Sequence, residues 1–307
     1  MIINRGIMIR VSTRSYSSIH PECSLDQLAS TIEKYYYGLS DIFSDLTVSR
    51  MRDIQNQIRT GKYTLTSLQL IVNKNLDSLK GSPYIINMSI DNQKVYGCLT
   101  PILEDKLVLI ALAAMLNTRI HEWNIQHPSC FSFKESPTDY YTRIRSREGP
   151  ISRVYKLDML NSLYLINRNT LLSKLKPIVS NDEIMQFLHS FLYIQILYEG
   201  QDLSYDLFPT SELITEVLLD FYLKELDNQF HLVFPCFSYT RYVNEILITT
   251  PHQVPFFESS LFALLESLEL DGRIVSIGPG DPPIPCHEGA LISLTEDGRL
   301  FIDKSTY

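Results

Sequence analysis

No Cys-x-x-Cys pair occurs in this 307-residue chain, and its five cysteines, Cys23, Cys98, Cys130, Cys236 and Cys286, are odd in number and far apart. A disulfide framework is therefore not expected, and a reducing compartment fits. Long apolar runs are missing too. The longest, Leu107 to Leu116, is ten residues, well short of the ~20 that a membrane-spanning helix needs. Gly-x-Ser-x-Gly, Walker and His-Glu-x-x-His elements are all absent, which removes the commonest hydrolase, nucleotide-binding and zinc-protease signatures. Gly278-x-Gly280 is no substitute for a phosphate loop, because the prolines around it lack the amide donors such loops use. His121, His127 and Cys130 have the spacing of three zinc ligands but no evident fourth. Cys286-His287 cannot make a dyad from adjacent positions.

Acidic residues are missing from the first 21 positions, which carry Arg5, Arg10 and Arg14 among several Ser and Thr. That composition predicts a mitochondrial targeting segment over residues 1–20 and a matrix location. Charge is uneven beyond it. Residues 1–156 hold 19 Lys and Arg against 14 Asp and Glu, whereas residues 157–307 hold 8 against 21. A nucleic-acid binder needs basic surface, so only the N-terminal half offers one, and the acidic half suits a protein partner.

Helices are expected from Ser24 onward, over Leu46–Arg59, Glu104–Asn117, Asn169–Ile178, Asp182–Leu197, Leu213–Leu226 and Phe256–Leu270. Strands are expected over Tyr63–Leu68, Tyr84–Ile90, Lys94–Leu99 and Val154–Met159, with a closing hairpin around Asp297-Gly298. Arg143, Arg145, Arg147, Arg153 and Lys156, interleaved with Tyr140, Tyr141 and Tyr155, form the most basic stretch. Arginines grip phosphates and tyrosines stack on bases, so an RNA contact and a solvated charged face both remain open.

Phe237 to Tyr242 and Ile246 to Ile248 are strand-like runs around Val243-Asn244-Glu245, a hairpin with an amide and a carboxylate at its tip. Arg241-Tyr242-Val243-Asn244-Glu245 resembles the Arg-Tyr-Ala-Asp-Asp hairpin of reverse transcriptases encoded by group II introns. Other stretches follow that family in order: Gly61-Lys62-Tyr63, Glu104 to Val108 opening a helix, Phe131-Ser132-Phe133-Lys134, Asp158 ending a strand, and Tyr222-Leu-Lys-Glu-Leu-Asp227. The resemblance covers about residues 45–270 and implies an α+β, right-hand polymerase-like fold. Residues 21–156 would be fingers-like and 157–275 a palm of antiparallel sheet backed by helices. Residues 276–307 would add a loop and hairpin, with the thumb region absent. By the same resemblance Lys62, Lys134, Arg143, Arg145, Arg147, Arg153 and Lys156 would bind RNA.

In that family two aspartates on the hairpin and one on the neighbouring strand hold the magnesium ions of nucleotidyl transfer. The matching positions are Asp158, Asn244 and Glu245. An amide brings no charge, so metal binding at Asp158 and Glu245 should be weak. Thr210, Ser211 and Glu212 also replace the family's Gln-Gly-Gly template loop, putting bulk and negative charge where backbone should approach nucleic acid. The resemblance thus implies a vestigial site without cofactor, magnesium being needed only if activity survives. Three readings stay open: a maturase-like protein that binds mitochondrial intron RNA and assists splicing, a protein-interaction subunit of a mitochondrial assembly, and an active polymerase.

Overall fold

Side-chain caps start most of the short helices. Ser24 and Thr47 accept from Gln27 N and Arg50 N at the head of α1 (Leu25–Gly38) and α2 (Val48–Arg59), a pairing that satisfies amides the helix leaves orphaned. The computed structural model describes residues 23–73, 86–90, 93–126, 150–159, 166–203, 208–209, 212–242, 245–286 and 290–303. After α2 come β1 (Leu68–Asn73), β2 (Ile86–Ile90), β3 (Gln93–Thr100) and α3 (Leu103–Gln126). β4 (Arg153–Asp158), α4 (Arg168–Val179), α5 (Asp182–Leu192), β5 (Ile196–Tyr198), β6 (Gln201–Asp202) and α6 (Glu212–Val233) follow. The chain continues through β7 (Ser238–Tyr242), β8 (Glu245–Thr250), α7 (Phe257–Ser267), β9 (Arg273–Ile277), β10 (Ile284–Pro285), β11 (Leu291–Leu294) and β12 (Leu300–Asp303).

Two compact units result, residues 1–126 with 167–218, and residues 127–166 with 219–307. In the first, β2-β3-β1-β5-β6 form a sheet in which β1 and β5 pair in parallel. Leu107 to Ala113 of α3 are all buried, as expected for a helix apolar on every side. The Gln55 amide donates to Ala29 O at 2.8 Å and ties α2 to α1.

The second unit holds a four-stranded antiparallel sheet, β7-β8-β4-β9, and a three-stranded one, β10-β11-β12. Every residue of β8 is buried, so the four-stranded sheet is covered on both faces, which explains the unbroken Ile246-Leu247-Ile248 run. One face meets α6 and α7 through Tyr239 against Phe230 and Tyr155 against Phe257, each at 4.6 Å between ring centres. Val154, Leu247 and Ile277 on the other face share a core with Ile284, Cys286, Ile292, Leu294 and Ile302 of the three-stranded sheet.

Several expectations change. The segment 63–67 is not a strand. Tyr63 OH donates to Asp105 Oδ1 at 2.7 Å, and Thr66 N and its hydroxyl both donate to Asp105 Oδ2. Asp105 is itself buried, so this segment spends its polar groups on a carboxylate instead of on a sheet edge. The helix expected to reach Leu197 stops at Leu192, because Leu68 and Gln69 recruit Ile196 and Leu197 into the sheet. The expected boundary at 156/157 falls inside β4, whose six residues pair continuously with β8. Residues expected as a C-terminal loop and hairpin, among them Ile284, Cys286, Ile292, Leu294 and Ile302, share one core with Val154 and Leu247 of β4 and β8. The Thr210-Ser211 part of the changed loop lies outside the described residues.

Candidate functional site: a carboxylate pair closed by a lysine and a thiol

β4 and β8 run antiparallel with Asp158 directly opposite Glu245, and Lys156 opposite Leu247. Side chains alternate along a strand, so Asp158, Glu245 and Lys156 project from one face. Asp158 and the hairpin carboxylate are therefore neighbours. Asn244 lies outside the described residues, as do Lys134, Arg143, Arg145, Arg147, His127 and Cys130.

Both oxygens of Glu245 are taken. Lys156 Nζ stands 2.9 Å from Oε2, with the two side chains 14% and 8% exposed. The Cys286 thiol donates to Oε1. Lys156 also donates to Pro285 O at 2.6 Å, so Pro285 on β10 and Cys286 just after it each hold one member of the ion pair. This environment does not fit a two-magnesium centre. A divalent ion on Glu245 would have to displace an ammonium already neutralising it, and Asn244 supplies no replacement charge. Among the described residues, no group of three or more His, Cys, Asp and Glu side chains is placed to hold a metal ion.

Of the expected RNA-binding cations, Lys62, Arg153 and Lys156 are among the described residues. Lys62 is exposed after α2, in the first unit. Arg153 and Lys156 both sit on β4, but an odd spacing of three sends them to opposite faces. Arg153 donates to Ser276 Oγ at 3.4 Å. Lys156 is paired with Glu245.

Behind the sheet lies a buried polar network that sequence reading missed. Tyr239 and Arg241 share a face by their spacing of two, and both reach Asp227 on α6. Tyr239 OH donates to Asp227 Oδ1 at 2.5 Å, while Arg241 Nε and Nη2 grip Oδ1 and Oδ2 at 2.8 Å each. Arg241 Nη1 reaches Asp220 at 2.7 Å, seven residues away on the same side of α6. Desolvation pulls the Arg241 guanidinium down, but the charges of Asp227 and Asp220 outweigh it and keep it protonated. Burial and the Asp227 charge push the Tyr239 hydroxyl far up, so it stays a donor. The legible signal was the co-occurrence of Asp227 and Arg241 in two matched motifs.

His231, edge-on to Tyr239 at 5.4 Å, is pushed below its ordinary 6.5 by burial, against the pull of Asp227. The unfolded chain therefore takes up this proton first. Its contribution is complete above pH 6.5 and is lost as pH falls through that value toward the folded one. Urea unfolding of His231→Gln should show a shallower loss of stability than wild type across that window; identical slopes would contradict this.

No protein-family model and no curated protein matches the sequence. Comparison with solved structures gives distant matches. Apo telomerase from Candida tropicalis, truncated from its C-terminal domain, is 12% identical at a TM-score of 0.45, over 76% of this chain and 57% of that one. Candida tropicalis telomerase in complex with a TWJ fragment of telomeric RNA is 11% identical at 0.49, over 73% and 45%. A partial Cas6-RT-Cas1–Cas2 complex is 17% identical at 0.42, over 79% and 40%. This chain spans about half the length of the telomerase chains it matches. The described architecture mixes helix and sheet, and no described helix is long and apolar enough to cross a membrane.

Proposed function

We propose that this chain is a non-catalytic, maturase-like protein of the mitochondrial matrix that binds intron RNA and assists its splicing. The four-stranded sheet with α6 and α7 corresponds in this reading to a palm, and the first unit to fingers. One observation carries it: Glu245 faces Asp158 as polymerase carboxylates would, yet is neutralised by Lys156 and capped by Cys286. Assisting RNA folding needs no metal-bound carboxylates, so a scaffold altered at this point can keep that role. The Arg143, Arg145, Arg147 cluster supplies the phosphate grip.

The test is filter binding of the full chain to a group II intron transcript over a salt series. Affinity should fall steeply with salt, and Arg143→Glu with Arg145→Glu and Arg147→Glu should weaken binding and lower the salt slope by up to about 3. Primer extension with magnesium or manganese should give no product. Unchanged RNA affinity in the triple variant overturns the reading, as does extension abolished by Asp158→Ala.

A further inference from the structure

At the end of the hairpin away from the Tyr242–Glu245 pair, large apolar side chains face solvent. Leu232 is 73% exposed, Val233 52%, Val254 37% and Phe256 84%. They lie in two stretches without a charged residue, Leu232 to Thr240 and Gln253 to Phe257. Aromatic rings join those stretches. Phe257 stacks on Phe237 at 4.4 Å and meets Phe234 edge-on at 5.0 Å. The exposed residues therefore border one aromatic cluster, unlike isolated apolar side chains on an ordinary surface.

Phe256 gives a second, independent signal. Its backbone is left-handed, at φ 62° and ψ 12°, a conformation that crowds any residue with a Cβ. A ring left 84% exposed buries too little to offset that strain. Folding alone does not account for a phenylalanine at this position. A surface that gains from the ring does.

Charge selects the occupant. Residues 219–307 carry 13 acidic against 5 basic side chains; Glu225 is exposed on α6, which supplies Leu232 and Val233, and Glu258 and Glu266 on α7, which begins just after Phe256. Glu225 lies two turns before Leu232, on the same side of α6. A second copy would bring acid against acid, and a phosphate backbone or anionic bilayer would be repelled likewise. We propose that the rim of Leu232, Val233, Val254 and Phe256 is the docking surface for an apolar segment of another protein flanked by Lys and Arg. It goes beyond the RNA-binding reading and does not depend on it.

The test uses a fluorescent amphipathic peptide of leucine and lysine, with a leucine–glutamate peptide of the same pattern as counter-probe, against the full chain. The lysine peptide should bind saturably and at least about tenfold more tightly than the glutamate one. Phe256→Gly removes the ring while relieving the backbone, so it should raise the melting temperature yet weaken the lysine peptide about tenfold. Leu232→Ser should weaken it too, and intron RNA affinity should not change in either variant. Equal binding by wild type and both variants overturns the proposal, as does equal binding of the two peptides. Dimerisation on sedimentation that Phe256→Gly abolishes would assign the rim to a second copy instead. Flotation with cardiolipin vesicles lost in that variant would assign it to a membrane.

Discussion

Arg241→Met is expected to lower the unfolding free energy of the second unit by about 3–5 kcal/mol, the cost typical of leaving a buried ion-pair partner uncompensated. Arg241 and Asp227 are 3% and 2% exposed, so neither can turn to water when the other is removed. The guanidinium makes three contacts to two carboxylates, Asp227 and Asp220. Lysine keeps the charge but not the planar fork, so Arg241→Lys should recover only part of the loss. Asp227→Asn should also be costly, since an amide offers one acceptor oxygen where Tyr239 and Arg241 together use two. Urea unfolding followed by tyrosine fluorescence and circular dichroism measures this. A loss below about 1 kcal/mol for Arg241→Met would mean that the network is not what fastens α6 to the sheet.

The second large effect is expected at the opposite face. Lys156→Met leaves the Glu245 carboxylate, 8% exposed, without its ammonium. The cost should lie toward the lower end of the ~3–5 kcal/mol range, because Lys156 itself keeps 14% exposure. Combining Lys156→Met with Glu245→Gln removes both charges and should restore most of the stability. A double-mutant cycle thus isolates the pair from the packing around it. The same cycle bears on metal binding. Asn244→Asp alone should leave magnesium affinity by calorimetry unchanged, because Lys156 still neutralises Glu245. Tight magnesium binding by that single variant would show that the lysine yields easily, and would return the polymerase reading to contention.

The order of secondary structure was largely legible. Helices with capped starts and one apolar face were expected close to where they lie, α2 and α4 at both ends and α1 and α5 at their starts. The β7–β8 hairpin was too, because its β-branched and aromatic runs have few alternatives. Failures came where distant groups outbid local preference. Tyr63 to Thr66 has strand-like composition, yet Asp105, about 40 positions on, takes its donors. Ile194 to Leu197 continues an apolar helix pattern, yet the open edge of β1 claims its last residues. Neither Asp105 nor β1 could be weighed from within those windows.

For the candidate site the sequence by itself determined the inventory: one strand ending in Asp158, one hairpin carrying Asn244 and Glu245, and the loss of one formal charge among the three. It also determined which half of the chain is basic and which acidic. Only tertiary structure decided that Lys156 points at Glu245 and that Cys286, 41 positions away, closes the other oxygen. Strand register and the packing of β10–β12 set those distances. Charge pairing depends on distance and burial, and a linear sequence records neither.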